Sequence, residues 1–315
     1  MAPIRPTALP LHLAPVVVLA VALVVFALTT PAFVSFGNVI AIVNSATLTG
    51  IVAVGLTFVT ISGNFLPLSV EQSAAMSAVT LAMMLAADIP AWVGVIAALA
   101  VGIAIGMLQG LIVSLGANPL VVTLAVGAAL AGLVVTVTGG KTITFPAVEF
   151  FGDMIVFGIP VQTYVFVIVT VILTIYSARS RSGRAIRLLG ENRLAARATG
   201  ISVRATTMLA FGLAGVTVSL VSILSVVTFD RANATQFSGL TFDAIAAVLI
   251  GGTAIRGGHG SPLRSAIGAV FIALLMNVML LREWSYGYRL LVEGIVVIAA
   301  VSIYRVLSAR KEIRK

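Results

Sequence analysis

The stretch RLLGENRLAARATGI, Arg187–Ile201, decides the fold, because it is a polar and basic segment in a chain that is otherwise apolar. Sixty per cent of the 315 residues are hydrophobic and only 9% are charged, and the mean hydropathy is +1.17. A soluble domain of this length could not cover its surface with so little charge. The segment is therefore a loop between membrane spans, and the chain is predicted to be an all-α polytopic membrane protein.

About ten transmembrane helices are predicted around this loop, since a helix needs about 20 apolar residues to cross about 30 Å of hydrocarbon. Glycine, proline and polar residues mark the ends of the apolar runs and interrupt some of them. The run Leu13–Leu28 is interpreted as the first transmembrane helix rather than a removed signal peptide. Together the spans form one transmembrane domain, residues 1–315. The predicted spans are residues 14–30, 39–61, 69–87, 92–114, 120–138, 161–179, 206–228, 241–253, 263–281 and 288–305.

Basic residues are divided unevenly between the two sides of this arrangement. If the N-terminus is inside, fifteen of the nineteen lysines and arginines fall on the inner side, seven of them from Arg179 to Arg204. Cytoplasmic loops of membrane proteins collect lysine and arginine. The count predicts that both termini and the loop at about 180–205 are cytoplasmic. It also explains the net charge of +9 without nucleic acid as a partner.

A short helix is predicted inside the basic loop. Asn192 is a suitable N-cap for a helix over Arg193–Thr199, and Gly200 is suited to the position that follows its end. One face of this helix would be apolar and another basic. The apolar face consists of Leu194, Ala198 and Ile201, and the basic one of Arg193, Arg197 and Arg204. Such a helix is either a loop on the membrane surface or an element that docks onto a cytoplasmic partner.

A stripe of small residues occurs in the predicted fourth span. The segment GIAIGMLQG places Gly102, Gly106 and Gly110 four residues apart, on one side of a helix. Small residues at this spacing let two helix backbones approach closely. The stripe is interpreted as a packing surface rather than a functional site.

Four motifs in the same order resemble one family of membrane proteins. GRAIRLLGENRLAARATGIS, Gly183–Ser202, is similar to the cytoplasmic loop of permease subunits of ATP-binding-cassette (ABC) importers for ribose and related sugars. The other three are GIVAVGLTFVTISG (Gly50–Gly63), GLAGV (Gly212–Val216) and FDAIAAVLIGGTAIRGGHGS (Phe242–Ser261). The resemblance covers nearly the whole chain.

The resemblance implies a permease that forms a translocation path for a sugar or similar small polar solute in the bacterial cytoplasmic (inner) membrane. Its implied partners are a cytoplasmic ATPase subunit, a second permease that is identical or related, an extracytoplasmic solute-binding protein and the lipid bilayer. The 190–201 helix would be the coupling helix that receives motion from the ATPase. A charge at Ala195 or Ala196 is expected to disrupt that docking. The implied coupling residues are Gly190, Glu191, Asn192, Arg193, Ala195, Ala196, Arg197 and Gly200.

The chain departs from the family pattern after Ser62-Gly63. The pattern continues Gly-Ile-Asp-Leu-Ser-Val-Gly-Ser, whereas here NFLPLSVEQS places Asn64 and Glu71 at glycine positions and Pro67 at the aspartate. Proline removes a backbone donor and restrains the preceding residue, so a continuous helix is not expected here.

Polar residues near this break are candidates for the translocation path or the seam between two permeases, because irregular backbone is tolerated in membranes only against protein or a water-lined cavity. The alternative is a plain cytoplasmic turn. Asp243, which follows the start of the eighth span, could instead complement a helix N-terminus. The candidates are Ser62, Asn64, Glu71 and Asp243.

No catalytic, cofactor or metal constellation is recognised. The chain has no cysteine and two histidines, and VTVTGGKT, Val135–Thr142, lacks the first glycine of a P-loop. ATP hydrolysis is therefore expected in another subunit, and the chain is not expected to be an enzyme. Two alternatives stay open at this point: an ion-coupled secondary transporter that uses Glu71, Asp243 or Glu293, and a membrane scaffold that recruits a cytoplasmic protein.

Overall fold

A computed structural model of the chain describes residues 14–30, 33–146, 155–156, 158–285 and 287–299. Almost all regular structure in this part is helical, as the composition predicts. Its helices are α1 Ala14–Thr29, α2 Phe36–Ile61, α3 Val70–Ala86, α4 Ala91–Ser114, α5 Pro119–Thr138, α6 Val161–Arg179, α7 Arg181–Glu191, α8 Arg193–Ala198, α9 Val203–Phe229, α10 Leu240–Ile250, α11 Pro262–Leu281 and α12, residues 287–299. Four two-residue strands complete it: β1 Ile143–Thr144, β2 Ile155–Val156, β3 Ile159–Pro160 and β4 Arg231–Ala232.

Six of these helices are long and apolar enough to cross a membrane: α2, α4, α5, α6, α9 and α11. The prediction of an all-α polytopic membrane protein is therefore confirmed. Each of the first nine predicted spans coincides with a helix to within a few residues. The tenth coincides with α12 up to residue 299, and its last residues lie outside the described ranges. The count of ten spans stays a prediction.

Different structural elements lie at the two ends of the bundle. One end, called here the basic end, carries α7 and α8 together with the C-terminus of α2 and the loop at residues 251–261, whose backbones meet. The other end, called the distal end, carries β1 paired antiparallel with β4. At the distal end the Arg282 guanidinium also donates to the hydroxyl groups of Thr29 and Thr30. Helices α1 and α11 therefore finish at the same end.

Helix α9 lies at the centre and packs against α2, α3 and α4. Its contact with α4 uses the predicted glycine stripe, since a Cβ atom at Gly106 would overlap the Phe211 carbonyl oxygen. A Cβ at Gly110 would approach the Met208 Cα to 2.8 Å. Close backbone contact of this kind maximises dispersion between helices in a setting where lipid competes for apolar surface.

Two apolar helices, α3 and α10, are too short to cross on their own. Their 17 and 11 residues correspond to about 25 and 16 Å at 1.5 Å per residue. Helix α3 follows a non-helical segment, residues 62–69, that contains Pro67. The predicted break at this proline is confirmed, and the N-termini of α3 and α10 meet inside the bundle.

Replacing Gly106 by alanine should destabilise the bundle, because the added methyl group has to push α4 away from α9. Overpacking of this kind costs about 1–3 kcal/mol. The measurement is the thermal unfolding midpoint of the purified protein in detergent. Gly132→Ala is the matched control, since a Cβ there has no neighbour within 4 Å. Equal midpoints for the two variants would contradict the packing role of the stripe.

Candidate functional site

Helix α8 has the two caps that its sequence predicts. The Asn192 side-chain oxygen accepts hydrogen bonds from the backbone N–H groups of Leu194 (2.9 Å) and Ala195 (3.0 Å). At the other end Gly200 has φ +81°, and its N–H donates to the Arg197 carbonyl oxygen at 3.0 Å. These bonds satisfy backbone groups that a helix of six residues leaves unpaired at both ends. The short helix predicted from Asn192 and Gly200 is confirmed.

Sequence reasoning missed α7, the amphipathic helix that precedes α8. Its N-cap is Ser180, whose hydroxyl oxygen accepts from the Gly183 N–H at 2.8 Å. Ile186 and Leu189, three residues apart, are both fully buried, and the Arg187 guanidinium donates to the Ser177 hydroxyl at the end of α6. Both signals, a serine cap and apolar residues at helical spacing, can be read from the sequence.

The two adjacent alanines of α8, Ala195 and Ala196, have different surroundings. Ala196 is 3% exposed and packs against Leu189 and Val203 within the chain, whereas Ala195 is exposed. Leu194 is 76% exposed, so the apolar face of α8 is only partly covered by the chain itself. A charge at Ala196 would disrupt the loop from within. Of these two residues, only Ala195 can therefore be used to test docking onto another protein.

Three segments meet at the basic end in close backbone contact. They are the end of α2 at Gly63, the end of α7 at Gly190, and the loop that contains Gly257 and Gly258. The Gly258 N–H donates to the Ile61 carbonyl oxygen at 2.8 Å. A Cβ at Gly190 would overlap that same oxygen and come within 2.6 Å of the Gly258 nitrogen. Glycine at position 190 is therefore required by internal packing, and we call this contact the glycine junction.

A chain of side-chain hydrogen bonds lies beside the glycine junction. The Arg193 Nη2 of α8 donates to Asn64 Oδ1 at 2.6 Å, and Asn64 Nδ2 donates to the Ser62 hydroxyl at 2.8 Å. The Ser62 hydroxyl in turn donates to the Val59 carbonyl oxygen at 2.6 Å, in the last turn of α2. Asn64 is 1% exposed. Two of the four residues predicted for the path or seam thus lie beneath α8.

The other two predicted residues lie where α3 and α10 begin. Glu71 Oε1 accepts from the backbone N–H groups of Gly239 (3.1 Å) and Thr241 (3.3 Å), at the start of α10. The Thr241 hydroxyl accepts from the Glu71 N–H at 3.3 Å, at the start of α3. Each helix therefore caps the other. A carboxylate between two helix N-termini is also favoured by both helix dipoles.

Asp243 stands in the first turn of α10, close to this reciprocal cap. Its carboxyl group comes within hydrogen-bonding reach of Glu293 on α12, and Glu293 is 4% exposed. The position near a helix N-terminus agrees with the structural role predicted for Asp243. The sequence alone did not identify Gly239 and Thr241 as partners of Glu71, because they lie 168 and 170 residues away along the chain.

Removing the Glu71 carboxylate should destabilise the protein, because the N–H groups of Gly239 and Thr241 lose their acceptor. For Glu71→Ala we expect a loss of about 1–3 kcal/mol, the range for an unsatisfied buried donor. Glu71→Gln, the matched control, keeps an acceptor oxygen without the charge and should lose less. Thermal unfolding midpoints measured in detergent give the relative stabilities of the wild type and the two variants. An alanine variant as stable as the wild type would contradict the capping role.

The chain is similar to a set of known permeases. A family described as the permease component of branched-chain amino acid transport systems matches residues 38–301. The ribose import permease RbsC of Bacillus subtilis (strain 168) is 32% identical over 302 residues, or 94% of each chain. RbsC of Escherichia coli (strain K12) is 30% identical over 91% of each. The D-allose transport system permease AlsC of the same strain is 30% identical over 92% of this chain and 90% of its own.

None of the solved structures matches the chain. The family match nevertheless spans most of the sequence, and the ribose permeases align with it almost from end to end. The same stretch of chain contains the broken spans and the capped basic-end helix described above. The chain therefore belongs to the family of permease components of ABC importers.

Proposed function

We propose that this permease forms the translocation path for a monosaccharide or a similar small polar solute. The observation that carries the proposal is the exposed, doubly capped helix α8 at the basic end of a membrane bundle, in a chain aligned with ribose and allose permeases over nine-tenths of its length. The solute class comes from the names of those relatives. Membership of this family also favours transport driven by a separate ATPase over an ion-coupled carrier or a scaffold.

The exposed side of α8 is the proposed docking surface for a cytoplasmic ABC ATPase. It presents the apolar Leu194 and Ala195 together with the cationic Arg197. Exposed apolar side chains among charges at a water-facing end are typical of a protein contact. Asn192 and Gly200 hold the shape of α8, while Gly190 and Ala196 fix it to the bundle. Glu191 and Arg193 flank the same surface.

The reciprocal cap is the proposed moving element of the path. Glu71 and Asp243 lie where two short helices meet, an arrangement that places helix ends and carboxylates within a transporter. Ser62 and Asn64 connect the end of α2 to α8. In this proposal the path is completed by a second permease copy or a related chain. An extracytoplasmic binding protein delivers the solute at the distal end.

Introducing a charge on the docking surface should uncouple transport. Ala195→Asp is expected to reduce ATP-dependent uptake strongly, because an unpaired charge buried in a protein contact costs about 3–5 kcal/mol. Uptake of labelled ribose is measured in proteoliposomes that contain the permease, its ATPase and its binding protein. Ala195→Ser is the matched control and should transport normally. Wild-type uptake by the aspartate variant would overturn the docking role of α8.

The basic end should be cytoplasmic, with both termini on that side of the bacterial membrane. This follows from the fifteen-to-four division of basic residues. Reporter tags at either terminus and at position 180 should be accessible from the cytoplasm, and a tag at position 147 only from outside. Position 147 lies outside the described residues. Tags at 147 and 180 on the same side would contradict the ten-span arrangement.

A further inference from the structure

The hydrogen bond between Arg193 and Asn64 is unusual in what it joins. Arg193 is the first residue of α8, and Asn64 lies 129 residues earlier, just beyond α2. The bond joins α8 directly to the segment that follows a membrane-spanning helix. The N···O distance of 2.6 Å is short even for a charge-assisted bond. The contact is therefore a specific hydrogen bond between α8 and the segment after α2, rather than a chance surface approach.

The orientation of the Asn64 amide is fixed from the other side. Its nitrogen donates to the Ser62 hydroxyl, which already uses its own proton on the Val59 carbonyl oxygen. The amide oxygen is thereby directed to the guanidinium, and a flipped amide would place two donors against each other. With Asn64 1% exposed, a loss of Arg193 would leave a buried acceptor without its partner.

The Arg193–Asn64 bond adds a polar contact to a closely packed end of the bundle. At the glycine junction the Gly63 region packs on the backbone of Gly190 and Gly257, and the Glu191 side chain lies against Gly258. Ile61 of α2 and Ile186 of α7 belong to one buried apolar cluster, so α7 is already packed on α2. The Arg193–Asn64 bond connects α8 itself to the last turn of α2 through Ser62.

We propose that Arg193 and Asn64 act as a positioning pair, which makes the end of α2 follow α8 when the ATPase changes state. The inference rests on the proposed function, and it assigns a role to two particular residues within it.

The test is a double-mutant cycle on the assembled importer. Arg193→Ala, Asn64→Ala and the double variant are reconstituted with the ATPase and the binding protein, and uptake is compared with ATP hydrolysis. We expect each single variant to retain ATPase activity and to transport about tenfold less solute per ATP, the factor that one charge-assisted hydrogen bond can supply. The double variant should be no worse than the singles, since both remove the same bond.

Controls separate this role from docking and from simple loss of structure. Arg181→Ala removes an exposed arginine from the start of α7 and should keep the wild-type ratio of solute transported to ATP hydrolysed. Arg193→Lys keeps a charged donor and should retain part of the wild-type ratio of solute transported to ATP hydrolysed. Additive losses in the double variant, a wild-type ratio in either single variant, or failure of the singles to assemble with the ATPase would each overturn the positioning role.

The same cycle distinguishes this proposal from the proposed function. Absence of ATP-dependent uptake by the wild-type complex would overturn the proposed function. In that case a non-additive cycle on the thermal unfolding midpoint of the permease alone would still show that the two side chains are bonded. Additive changes in the unfolding midpoint would show that the two side chains are not bonded. That result would overturn the positioning role, whatever the transport measurements give.

Discussion

The structure depends on how two helix N-termini are satisfied inside an apolar bundle. Helices α3 and α10 begin face to face, and unpaired N–H groups there would each cost several kcal/mol in hydrocarbon, by the usual transfer values. Glu71 and Thr241 solve this reciprocally, since each accepts hydrogen bonds from the start of the other helix. Once this cap forms, both short helices have fixed starting points, and the longer helices α2, α9 and α11 can pack around them.

Helix α2 connects this cap with the basic end. Along its length it contacts α9, α10 and α11, and the Thr57 and Ser265 hydroxyl groups lie 2.7 Å apart. Its C-terminus enters the glycine junction, where the backbones of Gly63, Gly190 and Gly257 are in close contact. Helix α2 therefore connects the basic end to the helices at the centre of the bundle.

Local features of this fold could be predicted from the sequence, and long-range partners could not. Hydropathy located the spans because desolvation acts on each apolar run separately, and Asn192 and Gly200 placed α8 because caps act within one turn. Helix α7 was missed although Ser180 and its apolar spacing indicated it. Glu71 meets Thr241 across 170 residues, and Arg193 meets Asn64 across 129. Contacts at such separations depend on the packed bundle, which no single segment specifies.

Residues 62–72 are bonded to distant elements near both ends of the segment. Asn64 bonds to α8, and Glu71 bonds to the start of α10. Between them Pro67 restricts the backbone, and Ser69 accepts from Gln109 of α4 at 2.8 Å. The segment is thus held at both ends and stiffened in the middle. A segment held in this way has less conformational freedom than a glycine-rich turn of the same length, so the starting point of α3 is fixed from both the basic end and the start of α10.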